Sequence, residues 1–311
     1  MSSNKPPIRL GIVGVGKIVR DQHLPALARD KDYLLAAAAS RNATVDGIAN
    51  FSDIEEMLAS GVEIDAVSLC QPPQVRHRAA RVAVEAGKHV FLEKPPGATV
   101  SEVEDLKALA AQKGVSLFAS WHSRYAPAVE AARAFLASTR IRSAAIDWRE
   151  DVRRWHPNQD WIWRAGGFGV FDPGINALSI MAAILPAPLL LDAAQIDIPE
   201  GRGSPIAATM AMRSGDAEVT ADLDFLQTGP QSWDIEVETD AGTLRLSMGG
   251  SVLELPGGEP VTREDREYPR LYTRFAELIA AGKSDVDIRP LQLVADAFLV
   301  AERRTVAPFQ F

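Results

Sequence analysis

The stretch Ile8–Val19, IRLGIVGVGKIV, decides the fold of the N-terminal part of the chain. It reads as a short apolar strand, a glycine turn and the start of a helix. In a G-x-G-x-x-G pattern, Gly14 allows the tight turn and Gly16 lets the backbone approach a pyrophosphate bound at the helix N-terminus. The third glycine position holds Val19. The stretch therefore predicts a dinucleotide-binding turn with one departure, and a simple tight turn is the alternative.

The first 120 residues alternate between short apolar runs and helical patterns. Such alternation predicts a parallel sheet with helices on both faces, which is the Rossmann arrangement. The predicted strands are 8–13, 34–39, 65–70, 89–94 and 114–119, and the predicted helices lie near 22–29, 52–60, 74–86 and 101–113. We therefore expect an N-terminal Rossmann domain over residues 1–122.

After about residue 120 the sequence changes to consecutive strand-like runs separated by turn signals. The predicted strands lie roughly at 142–150, 189–198, 205–213, 216–226, 233–239, 243–247 and 251–255. They predict a C-terminal α/β domain, 123–311, built on an open, mostly antiparallel sheet, so that the chain combines the α/β and α+β classes. A helix from Asp172 should cover one face of the sheet, and two more, near 268–281 and 290–302, can pack back on the Rossmann domain. Substrate binding and oligomerisation are expected in this second domain.

Charge and composition exclude several classes of partner. A net charge of −8 argues against nucleic acid and anionic membranes, since both require a basic surface. The single cysteine, Cys70, allows no disulfide within one chain and fits a reducing compartment. The short polar start, MSSNKPP, does not resemble a signal peptide, and no segment approaches the roughly 18 to 20 apolar residues of a membrane span. We expect a cytoplasmic protein that forms a homo-oligomer, with a dimer favoured because the open sheet presents a broad face.

The end of the second predicted strand indicates which dinucleotide would bind. An acidic residue at this place normally accepts from the 2′-hydroxyl of the adenosine ribose. The strand here ends AAAASRN, which offers Ser40 and Arg41 and no carboxylate. A guanidinium can bind a 2′-phosphate bidentately, so the sequence favours NADP, with NAD or dual use left open. The alternative is a solvated surface arginine.

The segment FLEKPPG places Glu93 and Lys94 at the C-terminal end of a parallel strand, where open α/β sheets bind ligands. The glycine turn, this E-K-P tripeptide and the later D-P-G helix start at Asp172 occur in an order that resembles the Gfo/Idh/MocA oxidoreductase family. The resemblance covers essentially the whole chain. Other stretches resemble the family's bacterial aldose 1-dehydrogenases, which act on L-arabinose and D-galactose: KIVRDQHLPAL (17–27), LEKPPGAT (92–99), SWHSR (120–124), EDVRRWHP (150–157), DWIW (160–163) and VFDPGINALSI (170–180).

The resemblance implies roles for individual residues. In the family, the lysine of E-K-P contacts the hydroxyl being oxidised and the aspartate of D-x-G-x-x-H holds the substrate, which implies these roles for Lys94 and Asp172. The histidine of that motif commonly acts as the base, but here the position is Asn176, which cannot take a proton at neutral pH. This departure favours the more acidic anomeric hydroxyl, with an aldono-lactone as product. Lys94 would then manage the proton, either as a base or by stabilising the alkoxide.

Asp172 and Asn176 stand four residues apart, so both lie on one face of the predicted helix. Asp172 could simply be the N-cap of this helix, with Pro173 at the first helical position. Capping does not explain Asn176, because an amide in the apolar segment INALSIMAAIL needs a partner. Contacts with neighbouring sugar hydroxyls account for both residues.

The segment Glu150–Trp163 contains three of the six tryptophans. Aromatic faces pack on the C–H surfaces of sugars, and polar groups bind their hydroxyls. Trp161 is expected to be a core or interface residue, while His122 could be a pocket or a structural residue. With Lys94, Asp172 and Asn176 as the catalytic residues, the expected substrate contacts are Lys94, His122, Glu150, Trp155, His156, Trp163, Asp172 and Asn176.

The resemblance also implies a set of cofactor contacts: Gly14, Gly16, Lys17, Ile18, Ser40, Arg41, Cys70, Pro72, Glu93 and Lys94. No metal is expected, because the five histidines show no paired ligand spacing. The function expected is an NAD(P)-dependent aldose 1-dehydrogenase. Two alternatives remain: a dehydrogenase acting at a secondary hydroxyl of another sugar or polyol, which Asn176 disfavours, and a non-catalytic sugar or nucleotide sensor, which the intact E-K-P disfavours.

Overall fold

The computed structural model describes residues 6–310, which divide into two units. Unit 1 contains the described residues up to Ser120 together with Tyr268–Asp287. Unit 2 contains Trp121–Glu267 and the described residues from Ile288 onward. Residues 1–5 and 311, which belong to the predicted domain ranges, lie outside the described part of the chain. A C-terminal segment is therefore part of the first unit.

The helices and strands are as follows. The helices are α1 (Leu24–Leu27), α2 (Ile54–Ala59), α3 (Pro73–Glu85), α4 (Val100–Lys113), α5 (Val129–Leu136), α6 (Val152–Trp155), α7 (Phe171–Ile184), α8 (Glu267–Ala281) and α9 (Arg289–Val300). The strands are β1 (Ile8–Val13), β2 (Tyr33–Ala39), β3 (Ala49–Phe51), β4 (Ala66–Leu69), β5 (His89–Glu93), β6 (Leu117–Ser120), β7 (Ile141–Arg149), β8 (Leu189–Pro199), β9 (Ala207–Ser214), β10 (Ala217–Asp224), β11 (Ser232–Thr239), β12 (Gly242–Ser247), β13 (Val252–Glu254), β14 (Val261–Thr262) and β15 (Glu302–Val306).

Unit 1 is built on a parallel sheet with the strand order β3-β2-β1-β4-β5-β6. Its inner strands are short apolar runs because helices cover a parallel sheet on both faces, and β4 is buried along its whole length. The predicted Rossmann fold is confirmed. The sequence analysis missed β3, an edge strand that is half-exposed and has no apolar run.

Unit 2 contains a nine-stranded sheet with the order β14-β13-β12-β11-β7-β10-β9-β8-β15. All neighbouring strands pair antiparallel except β7 with β10 and β8 with β15, which are parallel. The predicted open, mostly antiparallel sheet is confirmed. In β9, buried Met210 and Met212 alternate with exposed Thr209 and Ala211, so one face of the sheet is covered and the other is open.

Helix α7 lies on the covered face of that sheet, with α5 and α9 beside it. Nearly all of its residues are buried, as its apolar sequence predicts. A Cβ added at Gly174 would lie 2.6 Å from a methyl carbon of Leu223 in β10, so only glycine lets the helix approach the sheet this closely. This contact fixes the depth of the first two turns of α7, which carry Asp172 and Asn176.

None of the helices within residues 6–310 is both long enough and apolar enough to cross a membrane.

Candidate functional site

The strands of unit 1 run in one direction, so their C-terminal ends meet at one edge of the sheet. The N–H of Gly14 donates to the carbonyl of Ala39 at the end of β2, at 2.8 Å. The N–H of Cys70 donates to the carbonyl of Val13 at the end of β1, also at 2.8 Å. The segments after β1, β2 and β4 are therefore brought together at the edge where Rossmann domains bind dinucleotides.

The two glycines of the turn have different reasons to be glycine. Gly14 has a φ of +88°, and a Cβ added there would lie 2.8 Å from the backbone nitrogen of Gln71, so the fold itself requires glycine. At Gly16 an added Cβ would meet no atom within 4 Å. The protein leaves open space there, which suits the close approach of a pyrophosphate. Val19, at the third glycine position, is fully buried and begins a π-helical turn that leads into α1.

The two residues predicted to contact the adenosine ribose, Ser40 and Arg41, follow β2. Ser40 is half-buried, and its N–H donates to the carbonyl of Phe51 in β3 at 2.9 Å. The Arg41 side chain is exposed and makes no hydrogen bond or ion pair with any residue in the range 6–310. This arrangement suits an arginine that binds an external anion, although a solvated arginine would have the same surroundings.

Four other predicted cofactor residues flank the glycine turn. Lys17 is exposed and pairs with Asp21, one helical turn away. Ile18 is 36% exposed, which is high for a large apolar side chain. Cys70 and Pro72 lie directly after β4 and are half-buried. All four lie on segments that border the C-terminal edge of the sheet.

The E-K-P segment begins at the end of β5. Lys94 is half-buried, and its N–H donates to Glu93 Oε2 at 2.6 Å. Glu93 Oε1 accepts from the hydroxyl of Tyr268 at 2.7 Å and lies 3.1 Å from His23 Nε2. The carboxylate of Glu93 therefore faces the interior of unit 1. A cofactor contact by Glu93 stays a prediction.

His23 has a place in unit 1 that the sequence analysis missed. Its ring is fully buried, with Nδ1 2.7 Å from the hydroxyl of Tyr272 and Nε2 3.5 Å from the sulfur of Cys70. Burial lowers the pKa of His23, but Cys70, Tyr272 and Glu93 raise it, and the net pKa lies well above its usual value. For Tyr272, whose charged form is the anion, burial raises the pKa. Nothing local marks His23, because Tyr272 comes from α8, far along the chain.

A second polar cluster lies in unit 2. Glu150 Oε1 lies 3.1 Å from His156 Nε2, and Glu150 Oε2 accepts from Trp233 Nε1 at 3.1 Å. Asp172 Oδ2 lies 3.9 Å from His156 Nδ1. The imidazole therefore sits between two buried carboxylates. The structure brings together Glu150, His156 and Asp172, three residues that were predicted as substrate contacts.

Trp155 borders this cluster and is held by two residues that the sequence analysis missed. Its ring packs edge to face against Trp233, with centroids 5.1 Å apart. Its Nε1 donates to Gln231 Oε1 at 3.2 Å, and the same oxygen accepts from the N–H of Asp151. Trp233 lies in strand β11, and Gln231 directly precedes it, so their sequence indicates only a strand.

Two other predicted pocket residues lie in different surroundings. Trp163 is 1% exposed and packs between Phe225 and Phe309, as a core residue does, so its sugar contact stays a prediction. His122 Nδ1 lies 2.5 Å from Glu267 Oε2 in the same unit. This pairing fits the structural interpretation of His122. Trp161, expected in a core or interface, is half-buried.

Asp172 and Asn176 lie in the first turns of α7. The cap position is Val170, so the N-cap interpretation of Asp172 is wrong, and its carboxylate instead faces His156. The amide of Asn176 makes no hydrogen bond with any residue of the described chain, and the side chain is half-buried on a helix that is otherwise almost fully buried. An amide in this position suits an external hydrogen-bonding ligand.

No group of three or more His, Cys, Asp or Glu side chains within residues 6–310 is arranged to hold a metal ion.

The chain is similar to known proteins along its whole length. Residues 8–120 match the GFO_IDH_MocA model, which describes an oxidoreductase family with an NAD-binding Rossmann fold. The chain is 43% identical to galactose 1-dehydrogenase of Pseudomonas fluorescens over 304 residues, which cover 97% of this chain and 99% of that one. The crystal structure of D-galactose-1-dehydrogenase from Rhizobium etli is similar with a TM-score of 0.95, 59% identity and full coverage of both chains.

A more distant structure shares the fold alone. KijD10, a 3-ketoreductase from Actinomadura kijaniata in complex with TDP-benzene and NADP, is similar with a TM-score of 0.82 at 19% identity. The similarity covers 96% of this chain and 99% of that one.

Proposed function

Because the chain belongs to the Gfo/Idh/MocA oxidoreductase family, we propose that it is an NAD(P)-dependent aldose 1-dehydrogenase. Its reaction would oxidise the anomeric hydroxyl of D-galactose, L-arabinose or both to the aldono-lactone. The observation that carries this proposal is the polar cluster of unit 2. There the amide of Asn176, which has no partner within residues 6–310, shares a helix face with the buried carboxylate of Asp172. A sugar offers both of them hydroxyl groups.

The cofactor would bind at the C-terminal edge of the unit 1 sheet. Gly14 and Gly16 would admit the pyrophosphate, and the open space at Gly16 supports this assignment. When bound there, the dinucleotide would supply the nicotinamide as hydride acceptor. Arg41 would hold a 2′-phosphate, which supports NADP with dual use of NAD.

Removal of a hydride from C1 requires that the C1 hydroxyl loses its proton. We assign this proton to Lys94, whose neutral amine would accept it and become an ammonium, and whose backbone is held at the end of β5. The anomeric hydroxyl is more acidic than the other ring hydroxyls, because the ring oxygen withdraws electron density. Asn176 cannot serve as the base, which argues against oxidation at a secondary hydroxyl. The unit 2 cluster contains another group that can exchange a proton, His156, and we assign it to orientation of the sugar by way of Glu150 and Asp172.

The sugar would bind to the unit 2 cluster. Asp172 and Asn176 would hold neighbouring hydroxyls, and the face of Trp155 would pack on the C–H surface of the ring. D-Galactose and L-arabinose share their ring configuration and differ by the hydroxymethyl group at C5. A pocket that is open at this position accepts both sugars.

The test is a screen of aldoses and polyols with NAD and with NADP, measured as initial rates of NAD(P)H formation. Oxidation of D-galactose or L-arabinose at C1, with lactone as the product, is expected. Activity restricted to secondary hydroxyls would favour the polyol dehydrogenase alternative. Cofactor binding without NAD(P)H formation from any sugar would favour the sensor alternative.

We also propose that the protein is a cytoplasmic homodimer that uses the open face of the unit 2 sheet. Small exposed side chains on β7, β9 and β10, namely Ala145, Ala211 and Thr220, line a shallow depression on this face. Light scattering tests the proposal, because a large charged residue such as Ala211→Arg should convert a dimer to monomers.

A further inference from the structure

The backbone on both sides of Lys94 is held by a buried arginine. Arg76, from α3, is 2% exposed, and its Nη1 donates to the carbonyls of Glu93 and Pro95. Its Nη2 donates to the carbonyl of Gln71, which follows β4. The two residues that flank Lys94 are thus tied to the same guanidinium group, which is in turn anchored to the next strand end.

The N–H of Lys94 is held by a second buried group. It donates to Glu93 Oε2, while Glu93 Oε1 accepts from Tyr268 and lies near His23. His23 also contacts the hydroxyl of Tyr272. Since Tyr268 and Tyr272 lie one turn apart on α8, this helix orients the carboxylate that holds the lysine backbone.

Most of these contacts converge on Lys94 and the two residues that flank it at the end of β5. Buried charged groups are costly unless they are paired, so a cluster of Arg76, Glu93 and His23 at one residue needs a reason. A lysine side chain has four rotatable bonds, and the space that its ammonium can reach depends on the position of its backbone. A displacement of about 1 Å at a reacting group can cost about 10²-fold in rate.

We propose that Arg76, Glu93, His23 and Tyr268 are positioning residues that fix the backbone of Lys94 and so restrict where its ammonium group lies. This inference rests on the proposed function, in which Lys94 handles the proton of the sugar hydroxyl. The four residues need not touch the substrate. Their effect passes through the main chain of the E-K-P segment.

Two matched variants test the proposal. Tyr268→Phe and Tyr33→Phe each remove one hydroxyl from a buried tyrosine of unit 1, but the first hydroxyl donates to Glu93 and the second to the carbonyl of Tyr272. Tyr268→Phe should lower kcat for D-galactose about 10-fold or more with a nearly unchanged KM. Tyr33→Phe should leave kcat within about 2-fold, although both variants lower the melting temperature. Equal kcat values in the two variants would overturn the proposal.

A second measurement needs no turnover. Pulse acetylation with acetic anhydride, read by mass spectrometry, gives the reactivity of Lys94 relative to Lys113, an exposed lysine at the end of α4. Tyr268→Phe should change this ratio by about 3-fold or more, and Tyr33→Phe should leave it unchanged. An unchanged ratio in both variants would refute positioning.

The two measurements separate the positioning proposal from the proposed function. If the wild type oxidises no aldose, the proposed function fails, and the labelling ratio still decides whether the network positions Lys94. Arg76→Lys is a further variant, because a lysine can reach one flanking carbonyl but not both. Arg76→Lys should give a labelling ratio between that of the wild type and that of Arg76→Gln. Equal ratios in Arg76→Lys and Arg76→Gln would count against the role of Arg76.

Discussion

The cofactor edge of unit 1 and the polar cluster of unit 2 are built by different means. At the edge, backbone groups and strand ends create the site, and the residues that matter are close in sequence to the strand that they follow. In the cluster, side chains that directly follow β7 and α6 meet side chains from α7 and β11, and Glu150 and Trp233 are far apart in the chain. A site made of backbone is therefore encoded locally, whereas a site made of side chains depends on the tertiary fold. Substitutions should have separable effects on cofactor binding and on sugar binding.

The largest effect is expected for Lys94→Ala, which removes the group assigned to the proton. We expect kcat for D-galactose to fall about 10³-fold or more, while the dissociation constant for NADP changes little. Initial rates and a fluorescence titration of the cofactor measure the two quantities. Lys113→Ala is the control and should behave as the wild type. A rate in Lys94→Ala near that of the control would remove lysine from the chemistry.

The next effect concerns the cluster of unit 2. Asp172→Asn keeps the shape of the side chain but removes its charge and part of its acceptor capacity. We expect kcat/KM for the sugar to fall about 10- to 100-fold, since hydrogen bonds to charged groups contribute about 1.5 to 3 kcal/mol. Ser179→Ala is the control, because its hydroxyl donates only to the backbone of the same helix. Cofactor affinity should be unaffected in both variants, and a matching loss of NADP binding would break the separation between the two sites.

The third prediction concerns the cofactor edge of unit 1 and compares the binding of NADP with that of NAD. Arg41→Ala should weaken NADP binding about 10-fold while NAD binding changes by less than about 3-fold, because only NADP carries the 2′-phosphate. Isothermal titration with each dinucleotide measures the difference. Arg29→Ala, a second exposed arginine of unit 1, is the control. An equal loss for both cofactors would contradict the assignment of Arg41.

The smallest effect is expected on stability, from the titration of His23. The folded protein raises its pKa, so the stabilisation that the imidazolium provides is complete below the pKa of the unfolded chain. It is lost as the pH rises through the folded value. The free energy of unfolding of the wild type should therefore decline towards alkaline pH more than that of His23→Gln. Urea unfolding at several pH values measures this, and parallel curves would exclude the contribution.

The sequence predicts the parts of the molecule that follow from local pattern. The strand β1 is predicted with its observed bounds, and the alternation of apolar runs and helices predicts five of the six strands of the unit 1 sheet. The strands β3, β14 and β15 were missed because they are exposed or half-exposed edge strands, and the residues of β15, ERRTV, show neither an apolar run nor alternation.

The candidate site was predictable only in part. Glu150, His156 and Asp172 could be named from resemblance, but their mutual contacts could not, since these depend on how α6 and α7 lie against the sheet. Gln231 and His23 were missed, because a polar residue beside a strand and a histidine in a helix have no local signal of their partners. Pairing across long chain separations is set by the packing of whole elements.

The segment Tyr268–Asp287 has a consequence for synthesis of the chain. It belongs to unit 1 although almost all of unit 2 precedes it in the sequence, and its tyrosines complete the surroundings of Glu93 and His23. A ribosome adds about 5 to 20 residues per second, so the first 120 residues wait on the order of ten seconds for their last helix. During that time the apolar surface that the helix will cover is open, and Glu93 and His23 lack their tyrosine partners. Unit 1 can thus be finished only after unit 2 has largely emerged from the ribosome.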